Sequence, residues 1–205
     1  MDDVFEAEVN DGHAALLVVD VQNDFCSGGV LAVPGSDRVV DSLNGYIQDA
    51  LARAMPIYAS RDWHPARSTH FAPYGGMWPV HCVQDSPGAQ FHPSLRLPPT
   101  TIVISKGQGP DAHGYSAFEG RTPDGTALLE RLRNDNIAHL YVGGLATDYC
   151  VRASVLDARS AGLNVTLLQD AIAGVDRHTG DSSRAIAEMR RQGVSFRQRT
   201  GSPID

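Results

Sequence analysis

Short apolar runs alternate with segments of helical period along most of the chain, and this alternation constrains the fold more than any other feature. Ala14–Val19 reads AALLVV, Pro56–Ala59 PIYA, Thr101–Ile104 TIVI, His139–Val142 HLYV and Val165–Leu168 VTLL, with a weaker sixth run at Val194–Phe196. None has the apolar/polar alternation of a half-exposed strand, so each suits a strand covered on both faces, as in a parallel sheet. Between them, Ser36–Ala54 places Val39, Val40, Leu43, Ile47, Ala50 and Leu51 at helical spacing. Helices also fit Gly125–Asn134, Thr179–Gln192, and Tyr149–Ala161 after a cap at Thr147 or Asp148. The order β-α-β-(long loop)-β-α-β-α-β-α-β predicts an α/β protein: a doubly wound, mainly parallel six-stranded sheet with helices on both faces, a Rossmann-like three-layer arrangement. The 205 residues read as a single domain, 1–205, with no repeat, low-complexity tract or linker. Residues 63–100 form a long stretch rich in Pro, His and aromatics, and a loop of that length in a compact domain is usually functional.

Charge and cysteine usage exclude several classes. The formal net charge is −7 and the basic residues form no long run, which disfavours binding to nucleic acid or to an anionic membrane. Three scattered cysteines, Cys26, Cys82 and Cys150, argue against a disulfide framework and for reduced thiols in the cytosol. Met1–His13 is acidic and lacks the order of a signal peptide, and no apolar run is long enough for a membrane span. A cytoplasmic location is the expectation.

The chemistry-bearing residues stand where strands end. The first run ends at Asp20, the second at Asp62 with Trp63 and His64, the third at Lys106. The fourth ends in Gly143–Gly144, from which the chain turns to Cys150. In an open parallel sheet the carboxyl ends of the strands share one edge, where ligands bind, so Asp20, Lys106 and Cys150 should converge with Asp62 and His64 beside them. Taken singly, a cysteine is more often a small core residue and a strand-end aspartate a helix cap. Three such residues on three strand ends of one sheet suggest a reactive cysteine. Cys150 in the first turn of its helix would have its thiol pKa lowered by the dipole and free N–H groups. Asp20 would take the thiol proton, Lys106 would hold Asp20, and the N–H groups of Cys150 and Ala146 would bind an oxyanion.

A second group is Asp62, His64, His70 and His81. A carboxylate and imidazoles in this pattern suit one divalent transition metal, with coordination positions left for water or substrate; zinc, iron and manganese all remain open. His13, His92, His139 and His178 read as ordinary loop or surface histidines, while His113 falls in a loop beside the expected site and is left open. Phe25, Trp78 and Tyr115 lie in loops after strands and would sandwich a flat ring, or else pack the long loop onto the sheet.

Several stretches together resemble the nicotinamidase (pyrazinamidase) branch of the isochorismatase-like cysteine hydrolases. They are Asp20-Val-Gln-Asn-Asp-Phe25-Cys, Asp62-Trp-His64-Pro, Trp78-Pro-Val-His81-Cys, Lys106-Gly with Tyr115-Ser-Ala-Phe, and Gly144-Leu-Ala-Thr-Asp-Tyr-Cys150-Val. The Asp20 and Cys150 motifs mark the broad superfamily; the Asp62/His64/His81 set narrows it, since isochorismatases proper lack that metal site. The resemblance implies a triad of Asp20, Lys106 and Cys150, and a metal on Asp62, His64 and His81 with His70 as a further ligand in some relatives. It implies that this metal, with zinc the leading choice and iron or manganese the alternatives, holds a pyridine nitrogen while Phe25 and Trp78 flank the ring near Tyr115. It also implies a cis peptide between Leu145 and Ala146, and hydrolysis of nicotinamide to nicotinate and ammonia in NAD salvage, with pyrazinamide as a further substrate. The partner is then a small aromatic amide, with no nucleic acid and no membrane; relatives form dimers or larger assemblies, so a homo-oligomer is allowed. Gln108–Gly114 departs from the commoner pattern, which bears on loop shape and substrate breadth rather than on the chemistry.

Other readings stay open at this point. A related hydrolase of another amide or of an N-carbamoyl or ureido compound would keep the cysteine but lack the metal set. A non-catalytic protein that binds a pyridine carboxamide would have no use for the nucleophile. A closed structural metal site would favour more thiolates.

Overall fold

The computed structural model describes residues 13–199; the expectations for residues 1–12 and for the extreme carboxyl terminus lie outside them. Six strands form one sheet in the order β3-β2-β1-β4-β5-β6, and each neighbouring pair is parallel. The strands are β1 (Ala14–Val19), β2 (Ile57–Asp62), β3 (Ile102–Lys106), β4 (His139–Leu145), β5 (Asn164–Ala173) and β6 (Ser195–Arg197). The helices are α1 (Ser36–Ala52), α2 (Leu128–Asn134), α3 (Arg152–Ser160) and α4 (Asp181–Arg191). This is the doubly wound α/β arrangement expected. Its strand order reverses between β1 and β4, the point at which such sheets open a crevice.

Burial explains the unbroken apolar runs. Along β1, Ala14, Leu16 and Val18 enter one core, shared with Val39, Leu43 and Ile47 of α1. Ala15, Leu17 and Val19 enter the other, shared with Leu132 of α2, Val155 of α3 and Met189 of α4. One layer thus holds a single helix and the other holds three. Leu95 of the long loop completes the thinner layer, with Phe91 and Leu97 packed against it.

The strands overrun the apolar runs at their carboxyl ends. β2 and β3 continue to Asp62 and Lys106, which are register partners. Periodicity cannot extend a strand onto a charged residue, yet here the ladder supplies the backbone partners and the site supplies the counter-charge. β5 extends past Leu168 through Gln169 and Asp170; Asp170 is accommodated by the Tyr46 hydroxyl, which donates to its Oδ1 at 2.6 Å. The turn after β4 also differs from expectation. Thr147–Val151 forms a single π-helical turn, and α3 begins only at Arg152. Neither Thr147 nor Asp148 caps it; Asp148 instead accepts the N–H groups of Val175 and Asp176 at 2.9 and 2.8 Å.

Candidate active site

The carboxyl edge of the sheet gathers the expected residues. Lys106 Nζ lies 2.7 Å from Asp20 Oδ2 and 3.6 Å from Cys150 Sγ. It also pairs with Asp62 Oδ1 and donates to the Gly114 carbonyl. Donor atoms of Asp20, Asp62 and Cys150 lie within 4.8 Å of one another, but the Lys106 ammonium bonded to both carboxylates makes this an anion–cation knot rather than a place for a metal. Asp20 follows the last residue of β1 with φ +50, a sparsely populated conformation of the kind found at functional sites. Its Oδ1 accepts the Ser60 hydroxyl at 2.7 Å. Gln22 fastens the end of β2 by accepting Asp62 N–H and donating to the Asp62 carbonyl, each at 2.8 Å.

Burial sets the protonation states. It pushes the Asp20 carboxyl up from its usual range, with Lys106 opposing the shift. At Asp62 burial also opposes ionisation, but Lys106 together with His64 and His81 outweighs it and holds the carboxyl well below its usual range. Asp20 and Asp62 keep Lys106 cationic against burial. Burial drives the Cys150 thiol well up, only partly offset by Lys106. This runs against the expectation of a dipole-lowered thiol: Cys150 sits in a buried π turn near two carboxylates, and burial favours its thiol form. Cys26 and Cys82 are also free and buried.

The histidines form the second half of the site. His64, His70 and His81 are all buried and offer nitrogen atoms within 4.8 Å of one another. Asp62 Oδ2 faces His64 Nε2 at 3.6 Å and His81 Nε2 at 3.7 Å. The donor set fits a divalent metal on one structural observation. His64 Nε2 is buried without a hydrogen-bond partner, a costly state for an imidazole nitrogen unless a ligand meets it. Burial, with His64 and His81 nearby, lowers His70 to about 3, keeping it the neutral imidazole that binds metals. Gly107 permits this packing: it has φ +67, and a Cβ there would stand 2.4 Å from His64 Cε1.

A cleft of about 260 Å³ lies over both groups, with Cys150, Asp62, His70 and His81 among its lining residues. Phe25, Trp78 and Tyr115 all face it as expected. Trp78 Nε1 donates to the Tyr115 hydroxyl at 2.9 Å, and Phe25 tilts over His81 with ring centroids 5.5 Å apart. The peptide between Leu145 and Ala146, both in the wall, is cis. Sequence reasoning missed Tyr149, whose ring packs edge-on to Trp78 at 4.9 Å. Its signal was an aromatic immediately before the nucleophile candidate in a strand-to-helix turn. It also missed the apolar lip of Val30, Leu31, Val33 and Val175, which carries no chemical signature.

A doubly wound sheet with a buried acid, lysine and cysteine at its switch point defines a cysteine hydrolase. The chain belongs to the isochorismatase family, whose domain model matches residues 14–200. It is 43% identical over 199 residues to the nicotinamidase of Escherichia coli, covering 89% of this chain and 93% of that protein. The pyrazinamidase of Pyrococcus horikoshii, solved in complex with zinc, superposes with a TM-score of 0.84 at 42% identity, covering 91% of this chain and 99% of that one. PnC1 from L. infantum, solved in complex with nicotinate, gives a TM-score of 0.79 at 34% identity over 92% and 94% of the two chains.

Proposed function

We propose that this protein is a metal-dependent cysteine amidohydrolase that converts nicotinamide to nicotinate and ammonia, and that it hydrolyses pyrazinamide in the same way. One observation carries it. Lys106 Nζ stands 2.7 Å from Asp20 Oδ2 and 3.6 Å from Cys150 Sγ at an aromatic-walled cleft, and a three-histidine cluster reaches the same space through His70 and His81. The substrate choice is supported by the nicotinamidase, pyrazinamidase and nicotinate-bound relatives.

Cys150 is the nucleophile in this mechanism and Asp20 its base. Burial favours the thiol form of Cys150, so in this mechanism its proton passes to Asp20 as sulfur bonds to the carboxamide carbon, and no free thiolate need persist in the cleft. Lys106 remains cationic and offsets the charge of Asp20 and Asp62. The carbonyl electrons move onto oxygen, which the N–H groups of Ala146 and Cys150 receive. The C–N bond then breaks, the departing nitrogen takes the proton from Asp20, and ammonia leaves a thioester behind. Water gives a proton to Asp20 as it attacks the thioester carbon, the C–S bond breaks, sulfur recovers that proton, and the nicotinic acid formed loses its own proton to solvent and departs as nicotinate.

Phe25, Trp78 and Tyr115 hold the flat ring. A divalent metal bound by Asp62, His64, His70 and His81 would hold the pyridine nitrogen and orient the carboxamide toward Cys150. Zinc is the ion we assign, from this nitrogen and oxygen donor set and the zinc complex of the Pyrococcus horikoshii relative. The proposal makes residues 1–205 one hydrolase domain. It acts in the cytoplasm on a small aromatic amide, without nucleic acid or membrane, and a homo-oligomer is compatible with it.

Ammonia release from nicotinamide, pyrazinamide, an N-carbamoyl compound and an aliphatic amide, with and without chelator, tests this. The first two should be hydrolysed, and both chelation and Cys150→Ala should abolish turnover while circular dichroism shows an intact fold. Undiminished turnover by Cys150→Ala, or turnover confined to the N-carbamoyl compound, would overturn it.

A further inference from the structure

His70 differs from the other two histidines of the cluster in what holds its outer nitrogen. His64 Nδ1 lies 3.1 Å from the Gly107 carbonyl, and His81 Nδ1 lies 2.7 Å from the Pro79 carbonyl. A carbonyl oxygen only accepts, so each ring donates from Nδ1, and in its neutral form it turns a bare Nε2 inward. His70 Nδ1 instead meets Nδ1 of His113 at 3.3 Å. An imidazole nitrogen can donate or accept, so this contact has two forms. If His113 donates, the neutral His70 ring must carry its proton on Nε2, which then cannot ligate. If His70 donates, His113 holds its own proton on Nε2, and His70 Nε2 is bare like those of His64 and His81.

We propose that His113 is a positioning residue of the cluster: it accepts the His70 Nδ1–H and so fixes the tautomer and ring direction that present His70 Nε2 to a divalent metal ion. The role rests on the cluster being a metal site. It gives His70 the outer-partner hydrogen bond that metal-bound histidines regularly make, from a side chain instead of a carbonyl.

The local structure brings the two rings together from both sides. Thr69, the residue before His70, donates its N–H to the Pro110 carbonyl at 2.8 Å and its hydroxyl to the same oxygen at 3.1 Å. That ties the His70 segment to the loop carrying His113. On the other side the Gly114 carbonyl is bound by Lys106 Nζ. The His113 ring lies nearly parallel to Tyr115, with centroids 6.4 Å apart. The span 107–115 therefore touches His64 through Gly107, His70 through His113, Lys106 through Gly114 and Trp78 through Tyr115. His113 is exposed at the cleft mouth, so its replacement leaves the core unaltered.

The test compares the metal-free full-length protein with His113→Ala, His113→Asn and His64→Ala. Zinc affinity is read by competition with a chromophoric chelator, and site geometry by the visible spectrum of the cobalt-loaded forms. Asn is the conservative variant, because its Oδ1 takes the place of His Nδ1 and can only accept. His113→Ala should bind zinc ~10–100-fold more weakly and shift the cobalt spectrum, while His113→Asn should restore both. His113→Ala binding zinc as tightly as the unaltered protein, or His113→Asn remaining as weak as His113→Ala, would overturn the proposal. His64→Ala separates this from failure of the metal site: it should lose zinc outright. Unchanged zinc binding in that variant, or none in the unaltered protein, would remove the metal site and with it the role of His113.

Discussion

Removing the Ser60 hydroxyl isolates the contribution of Asp20 more cleanly than replacing Asp20 itself. Ser60 and Asp20 are fully buried, and the serine donates to Asp20 Oδ1 at 2.7 Å. Ser60→Ala deletes one oxygen and leaves the ion pair of Asp20 with Lys106 in place. A hydrogen bond to a charged group is worth ~1.5–3 kcal/mol, and here it favours the ionised form of a carboxyl that burial already pushes up. Its loss pushes the carboxyl further up, so the basic form of Asp20 becomes scarcer at any pH on the acid side of the profile. There kcat/KM follows the fraction of Asp20 ionised, and the penalty corresponds to a ~10–100-fold lower rate constant. On the plateau, where Asp20 is ionised in both proteins, the deficit should shrink.

The stability sign follows from linkage. An acid whose folded pKa lies above its unfolded value favours the folded state at low pH and loses that contribution as pH rises. Ser60→Ala enlarges this effect, so thermal unfolding should separate the two proteins more at neutral pH than in acid. The assay is ammonia release from nicotinamide across the pH range, with melting curves at the same pH values. An acid limb that stays in place, or a uniform loss at every pH, would refute the assignment of Asp20 as base.

Two further substitutions probe the surroundings of the cleft. Gly107→Ala would place a methyl 2.4 Å from His64 Cε1 on a residue with φ +67; it should weaken metal binding and lower stability by ~1–3 kcal/mol, read by metal titration and urea unfolding, and unaltered metal affinity would speak against the cluster. Tyr115→Phe removes the acceptor of the Trp78 indole N–H at a cost of ~0.5–1.5 kcal/mol; KM for nicotinamide should rise more than kcat falls, whereas a pure kcat loss would count against Trp78 as a ring support.

The alternation of apolar runs with helical segments was enough to predict the sheet, because strands buried on both faces write their position directly into composition. The same logic led to Asp20, Asp62, Lys106 and Cys150, since a charged or nucleophilic residue closing such a run has to sit at the shared edge. Features set by geometry at that edge were less legible. The direct register pairing of Asp62 with Lys106 depends on how neighbouring strands align, not on local pattern. The upward push on the Cys150 thiol follows from its burial near two carboxylates, whereas sequence reasoning placed it in the first turn of a helix, where the dipole lowers a thiol pKa. His113 stood in a segment without any chemical motif, and only the fold of residues 107–115 against His70 brings it into contact. The lip of Val30, Leu31, Val33 and Val175 is ordinary apolar sequence until the chain wraps it round an opening.

Asp62 directs one oxygen to Lys106 and the other toward His64 and His81. The two halves of the site are therefore not separable modules. A designer who grafts the histidine cluster onto another scaffold carries away the lysine's second counter-charge. One who grafts the acid–lysine–cysteine group alone must find a new anion to stand where Asp62 stood. A change at Asp62 alters the electrostatics of the nucleophile and the donor set of the cluster together.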